Sequence, residues 1–242
     1  MKDLSKYLSY LNKWIVDYCH QAHAKGVVVG VSGGVDSAVA ATIANMHNNI
    51  KILGVWMNID NSKLDIKCIN DLKRQNRFTI IDVNLMSIFN AYKKILKLNN
   101  RLSISNLKAR LRAVALYAIA QEYSLLVMGT GNADELHMGY FTKYGDSACD
   151  LLPIAQLTKQ RVFEAAKILK LPSSIVERAP SASLYENQTD EDEMGVRYPI
   201  IDAYLYGKTI PSVSLSIIKK SHQINQHKLH MPVKPRKFEK IK

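Results

Sequence analysis

The stretch Val27-Val28-Val29-Gly30-Val31-Ser32-Gly33-Gly34-Val35-Asp36-Ser37-Ala38-Val39-Ala40 constrains this chain more than any other. It opens as a β-branched apolar run without alternation, the pattern of a strand buried on both faces of a sheet. The run breaks at Ser32-Gly33-Gly34 and resumes at helical spacing through Ala38, Val39, Ala41 and Ile43. A glycine pair between strand and helix lets the backbone turn tightly and bring its N–H groups against a ligand. Those N–H groups, the Ser32 and Ser37 hydroxyls and the positive end of the helix dipole make an anion cradle. Asp36, at the helix start, caps backbone donors or holds a cation that the anion brings with it. No Gly-Lys-Ser/Thr closes the loop. It therefore differs from the phosphate loop that grips β and γ phosphates for γ-phosphoryl transfer.

The rest of the chain reads as strands alternating with helices. An amphipathic helix over residues 1–25 puts Leu4, Tyr7, Leu8, Leu11, Trp14, Ile15, Tyr18 and Cys19 on one face, a stripe that packs on a sheet or a neighbouring subunit. Further strands are predicted at residues 51–57, 78–83 and 125–130, with a polar segment over 58–76 and helices over 85–98 and 105–123. From Pro153 the pattern is mainly helical, over 158–169, 173–177, 189–205 and 212–226. This order of elements predicts an open, mostly parallel α/β sheet with helices on both faces and a helical C-terminal part. Ligands of such sheets sit at the strand carboxyl ends, where Ser32, Met57-Asn58 and Gly129-Thr130 all fall.

Composition narrows the partners. The 242 residues suffice for one domain with a full core, and no apolar run approaches a membrane span. The N-terminus carries early charge and no signal-peptide core, which predicts a cytoplasmic protein. Cys19, Cys68 and Cys149 are scattered and odd in number, so they suit buried thiols in a reducing compartment better than zinc or a redox pair. A net charge of +12 favours polyanionic partners without choosing among nucleotides, RNA and anionic membrane. Part of that excess lies in a basic tail over 227–242.

A second constellation follows the last predicted strand. Gly129-Thr130-Gly131-Asn132-Ala133-Asp134-Glu135 sets Thr130 toward a ligand and Glu135 at a helix start. Glu135 suits the helix dipole as an ordinary first-turn acid, or pairs with Asp36 as an oxygen ligand to Mg²⁺ beside phosphates. Gly139-Tyr140-Phe141-Thr142-Lys143-Tyr144-Gly145-Asp146, with Asp150 beyond it, is an unusual composition for a plain connector.

Ser-Gly-Gly-Val-Asp-Ser resembles the loop of the N-type ATP pyrophosphatases, which hold the β–γ pyrophosphate as a leaving group while a substrate oxygen attacks the α-phosphate. The loop, Gly-Thr-Gly-Asn-x-x-Glu, Gly-Tyr-Phe-Thr-Lys-Tyr-Gly-Asp, Pro-Ser-Ala and Gln-Thr-Asp-Glu-Asp-Glu-x-Gly then occur in one order. Together, from the first strand to His227-Lys228, they are similar to the ammonia-dependent NAD⁺ synthetases. The resemblance implies an adenine nucleotide alpha hydrolase-like fold. It implies that Gly30, Val31, Ser32, Gly33, Gly34, Val35, Asp36 and Ser37 cradle ATP phosphates, with Thr130, Lys159 and Ser181 as further ATP contacts. Asp36 and Glu135 would bind Mg²⁺, and Arg110, Lys143, Asp150, His227 and Lys228 would contact deamido-NAD⁺. Three positions depart mildly from the family pattern: Ser181, Ser147 and Cys149. Without the resemblance, Arg110 and Arg112 beside Lys108 read equally as a solvated basic face. Lys159 near a helix start opposes the dipole, which favours a ligand role.

The implied chemistry is adenylation followed by amide formation. The nicotinate carboxylate attacks the α-phosphorus of ATP, pyrophosphate leaves, and ammonia displaces AMP from the acyl adenylate. Asp146 and Asp150 are the carboxylates to take a proton from ammonium. Only about two dozen residues precede the loop, which predicts free or delivered ammonia rather than an attached glutamine-hydrolysing domain. The family implies a homodimer, with the apolar N-terminal helix suited to its interface. The nearest rivals are a tRNA-modifying adenylating enzyme and the synthetase half of GMP synthetase. The tRNA version lacks a cysteine pair and a separate RNA-binding module here. A nucleotide sensor that kept the loop would have no need of Asp36, Glu135 and Lys159 together.

Overall fold

The computed structural model describes residues 3–47, 49–59, 63–75, 78–178, 189–230 and 232–235. Helix α1 (Leu4–Gln21) starts at Asp3, whose carboxylate accepts from the Ser5 N–H at 3.0 Å, a side-chain N-cap. Its apolar stripe (Leu8, Leu11, Ile15, Val16, Cys19) is buried within the chain, in contact with α2 (Val35–Ala44) and α7 (Lys159–Ile168). Asn12, also buried, donates to the carbonyls of Ile43 and Ala44 at 2.8 and 3.0 Å and so closes the C-terminal end of α2.

Four strands, β1 (Gly26–Gly30), β2 (Lys51–Asn58), β3 (Thr79–Asn84) and β4 (Leu126–Met128), pair in parallel in the order β3-β2-β1-β4. Val27, Val28 and Val29 are fully buried, as a strand covered on both faces requires. The chain runs outward from β1 to β3 and returns to the other side of β1 as β4. The order reverses between β1 and β4, which opens a crevice at their carboxyl ends. One sheet face is covered by α1, α2 and α7. The other is covered by α4 (Met86–Ile95) and α5 (Arg101–Tyr123). A separate apolar cluster joins α6 (Ala133–Met138), α9 (Asp190–Met194), α10 (Tyr198–Leu205) and α11 (Ser212–Leu229).

The structure departs from the sequence reading at three places. The polar segment after β2 contains a helix, α3 (Lys63–Gln75), which buries Cys68, Ile69 and Leu72. Leu64, Cys68, Ile69 and Leu72 keep helical spacing, but the segment as a whole is polar, which hides the helix from a reading by apolar runs. The helix expected over 189–205 is two helices, because Gly195 takes a left-handed φ of 67° and ends α9. Helix α5 begins at Arg101, where Asn100 accepts from the Ser103 N–H at 3.0 Å. A short α8 (Ser173–Val176) completes the elements.

Candidate active site

The turn from β1 into α2 leaves the first helical donors uncapped. Gly34 stands at the N-cap of α2 and supplies no side-chain cap, so the first helical N–H groups are not consumed by the protein's own side chains. The loop is shaped by its hydroxyls. Ser37 Oγ accepts from the Ser32 N–H at 3.2 Å and donates to the Gly34 carbonyl at 3.0 Å, and Ser32 Oγ accepts from the Gly34 N–H at 3.2 Å. Gly33 has a φ of +79°, and a Cβ there would sit 2.9 Å from the Cys68 side chain. Any other residue would be strained and crowded at that point.

Asp36 projects from this turn toward two other elements. Lys159, the first residue of α7, is only 3% exposed, and its ammonium lies 2.6 Å from Asp36 Oδ2 and 3.6 Å from Glu135 Oε1. Asn132 links the two carboxylates. Its Nδ2 donates to Asp36 Oδ1 at 2.8 Å, while its Oδ1 accepts from the Glu135 N–H and its own N–H donates to Glu135 Oε2. That reciprocal pair is a capping box at the start of α6, and Asn-x-x-Glu is its sequence signature. The three residues predicted to act on phosphates and metal are thus brought together by a strand-end loop and two helix starts.

The sequence reading gave no role to the other half of this cluster. Tyr198 donates to Asp190 Oδ2 at 2.9 Å, and its ring faces the Lys159 ammonium at 4.8 Å from the centroid. Tyr140 OH lies 2.6 Å from Glu193 Oε2 and 3.3 Å from Asp190 Oδ1. Asp190 and Glu193 lie inside the acidic string after Gln188-Thr189, but only the fold brings them to Lys159. Tyr198 carried no local signal at all.

Among the described residues, one ammonium stands among three carboxylates. Burial, then Asp36, push the Glu135 carboxyl up to about 8. Burial also raises Asp190, against the pull of Lys159. For Lys159 itself, burial acts to lower the amine, but Asp36 and Glu135 outweigh it and hold it above its ordinary value. Hard carboxylate oxygens with unmet demand for cationic charge fit Mg²⁺. Among the described residues no group of three or more protein ligands is arranged to hold a metal unaided.

Lys159 is positioned from behind by a second pair of acids. Thr158 provides no side-chain cap for α7. Instead Asp134 Oδ2 accepts from the Lys159 N–H at 2.6 Å, and Asp202 Oδ2 accepts from the Gln160 N–H at 3.2 Å. Both acids are buried. Burial and a hydrogen bond with Asp202 raise the Asp134 carboxyl to about 8. The folded state therefore keeps a proton that the unfolded chain loses near pH 4, and this group subtracts stability as pH rises from about 4 to 8. Asp134→Asn, whose amide can accept from Lys159 and donate to Asp202, is expected to match the wild type near pH 5. At pH 8.5 it should be the more stable of the two. Urea unfolding at the two pH values checks this, and an identical pH dependence in both proteins would refute the shared proton.

The cluster opens into a cavity of ≈ 680 Å³ at the carboxyl ends of the strands, lined by the glycine loop, Thr130 and one side of α5. At its far end the predicted substrate contacts are stitched to one another. Lys228 donates to the carbonyls of Gly139 and Phe141 at 2.8 and 3.1 Å, Lys143 donates to the His227 carbonyl, and Arg110 Nε donates to the Lys143 carbonyl at 3.3 Å. Arg110, Lys143, His227 and Lys228 all line the cavity. Asp146 lines it too, with Oδ1 accepting from the Thr142 N–H at 2.8 Å and burial raising its carboxyl. Asp150 does not line it. Its Oδ2 accepts from the Val127 N–H at 2.7 Å and its Oδ1 from Tyr117 OH at 3.2 Å, which fastens its segment to β4. Ser181 lies outside the described residues.

A parallel sheet with an anion-binding glycine loop at its switch point, facing a buried lysine and acids, defines a nucleotide-dependent α/β enzyme of the Ser-Gly-Gly-x-Asp-Ser type. More narrowly, residues 7–232 match the NAD synthase model, and the chain belongs to that family. It is 45% identical over 242 residues to the NH(3)-dependent NAD(+) synthetase of Mesoplasma florum, covering 98% of this chain and 99% of that one. Among solved structures it resembles the NMN synthetase of Francisella tularensis (36% identity, TM-score 0.89, 97% of this chain and 99% of that one). It also resembles the NH3-dependent NAD synthetase of Campylobacter jejuni (28% identity, TM-score 0.81, 98% and 100%).

Proposed function

We propose that this protein is an ammonia-dependent NAD⁺ synthetase: it amidates deamido-NAD⁺ at the expense of ATP, releasing AMP and pyrophosphate, the last step of NAD⁺ biosynthesis. The observation that carries the reading is the meeting of Asp36, Glu135 and Lys159 at the mouth of the glycine loop. Relatives that share the whole chain length and carry that name support it.

A carboxylate is a poor electrophile, so its oxygen must first be turned into a good leaving group. A nicotinate oxygen forms a bond to the α-phosphorus as the bond to the bridging β-oxygen breaks, and pyrophosphate leaves with that electron pair. The loop N–H groups and the start of α2 bind the departing phosphates, and Lys159 stabilises charge on them. Arg110, Lys143, His227 and Lys228 hold the acid substrate at the other end of the cavity, so proximity supplies much of the rate. Ammonia then attacks the acyl carbon and AMP departs. Ammonium dominates at neutral pH, and Asp146, a cavity-wall carboxyl raised by burial, takes its proton. Asp36 and Glu135 would hold Mg²⁺, which when bound neutralises phosphate charge.

The protein acts as a homodimer in the cytoplasm. Ile88, Tyr92, Ile95, Leu102, Val114 and Tyr117 expose apolar surface along α4 and α5, and Leu102 also lines the cavity. Its three cysteines are free, and no helix of the described residues is long and apolar enough to cross a membrane.

A second reading rests on the NMN synthetase likeness: the acid substrate is nicotinate mononucleotide rather than the dinucleotide. One assay separates the two. The protein is mixed with ATP, Mg²⁺ and ammonium plus either acid, and nucleotides are followed by chromatography. AMP and NAD⁺ are expected one for one from the dinucleotide. Preferred conversion of the mononucleotide would install the second reading, and ADP, or persistent ATP with both acids, would end both. Sedimentation of the same preparation at the monomer mass would remove the dimer.

A further inference from the structure

The segment from the end of α7 through α8 to Arg178 is fastened along α3 at intervals. Gln75 donates to the Lys170 carbonyl, Ser174 Oγ donates to Asp71 at 2.7 Å, and Cys68 Sγ donates to the Ser174 carbonyl at 3.2 Å. Arg178 then meets Asp65, Nη2 to Oδ1, at 2.6 Å. Residues 170, 174 and 178 thus meet 75, 71 and 65, an antiparallel run of contacts that ends at the glycine loop. Arg178 is almost buried, its side chain 11% exposed. Its other terminal nitrogen, Nη1, lies 3.4 Å from where a side chain on Gly33 would begin. Both Arg178 and Asp65 line the cavity beside Ser32 and Gly34.

Three interactions fix the segment and the fourth fixes one guanidinium beside the glycine loop. Packing of α3 on α8 accounts for the first three, whereas the fourth holds a nearly buried guanidinium against Gly33, on the wall of the cavity beside Ser32 and Gly34. A phosphate seated on that loop would lie next to this fixed cation. The planar fork of arginine suits such a site, since one edge can keep its carboxylate while another meets phosphate oxygens.

We infer that Arg178 is a ligand of the β–γ pyrophosphate of ATP, with Asp65 as its positioning residue. This rests on the adenylating reading above. Charge builds on the bridging oxygen as its bond to the α-phosphorus breaks, and a fixed guanidinium at the leaving end favours that state and holds the product.

Product inhibition by inorganic pyrophosphate is the test, read beside thermal unfolding in wild type, R178Q and R178K. R178Q is expected to raise the inhibition constant for pyrophosphate about tenfold or more and to lower kcat. The KM for the nicotinate substrate should stay within about twofold. R178K, with the charge but not the fork, should fall between. A lowered Tm in R178Q with an unchanged inhibition constant would make the residue purely structural and overturn the inference. Should R178Q fail to fold, an unchanged inhibition constant in R178K does the same. Wild type that releases no AMP and pyrophosphate would instead sink the parent reading.

Discussion

Asp36→Asn is expected to lower turnover by about 10²–10³-fold or more while the protein stays folded. Asparagine keeps the size of the side chain and an oxygen to accept from Asn132 Nδ2, so the link between the loop and α6 survives. What disappears is a negative charge that Lys159 touches at 2.6 Å and that a divalent cation would need. The cluster tolerates that loss because Glu135 and Asp190 still face the lysine. Removing one acid from a site with too many costs little stability and eases the proton held on Glu135. Asp36→Ala should fail in turnover as well, with a larger stability loss from the broken Asn132 contact. Quenched-flow measurement of AMP and pyrophosphate with circular dichroism on the same samples decides it. Near-normal pyrophosphate release by a folded Asp36 variant would remove the residue from the phosphate and metal site.

The parts of this site that could be read in advance are those whose chemistry is local. An anion cradle made of consecutive N–H groups must appear as consecutive residues, so Gly30 to Ser37 announced itself. Asn132 and Glu135 likewise sit at capping-box spacing. The order of strands and helices followed from runs such as Val27 to Val29, which only a doubly covered strand buries. Helix α3 escaped because its buried side is narrow, three side chains among lysines and aspartates.

The remainder is long-range and left no trace in spacing. Asp134 and Asp202 cap α7 from two different helices, and neither differs in sequence from a surface acid. Tyr198 reaches Lys159 only because Gly195 turns the chain between α9 and α10. Asp150 is the converse case. Its place next to a motif made it look like a ligand, while its two oxygens hold β4 and Tyr117. A carboxylate is equally useful for fastening a strand and for binding a substrate, and sequence alone does not separate those uses.

Lys159→Met is expected to affect both activity and stability, and the two effects separate by pH. Methionine matches the apolar stem of lysine, so packing at this nearly buried position is largely kept. The lost ammonium removes charge stabilisation from the phosphates, about 10²–10³-fold in kcat. It also leaves Asp36, Glu135 and Asp190 facing one another without their cation, and breaking such a buried pair costs about 3–5 kcal/mol. The acids can escape that cost by taking up protons, as Glu135 and Asp190 already tend to do. Their folded pKa values then lie further above the unfolded values near 4, so stability is present at low pH and lost as pH rises through the folded values. The variant should therefore be close to wild type near pH 5 and markedly weaker by pH 8. Two additions should close the gap at pH 8: a second change, Glu135→Gln, and millimolar Mg²⁺, which supplies the missing charge to oxygen ligands. Urea unfolding of the single and double variants at both pH values, with and without Mg²⁺, measures all of this. A gap that ignores pH would mean that packing, and not the balance of one ammonium against three carboxylates, holds this lysine in place.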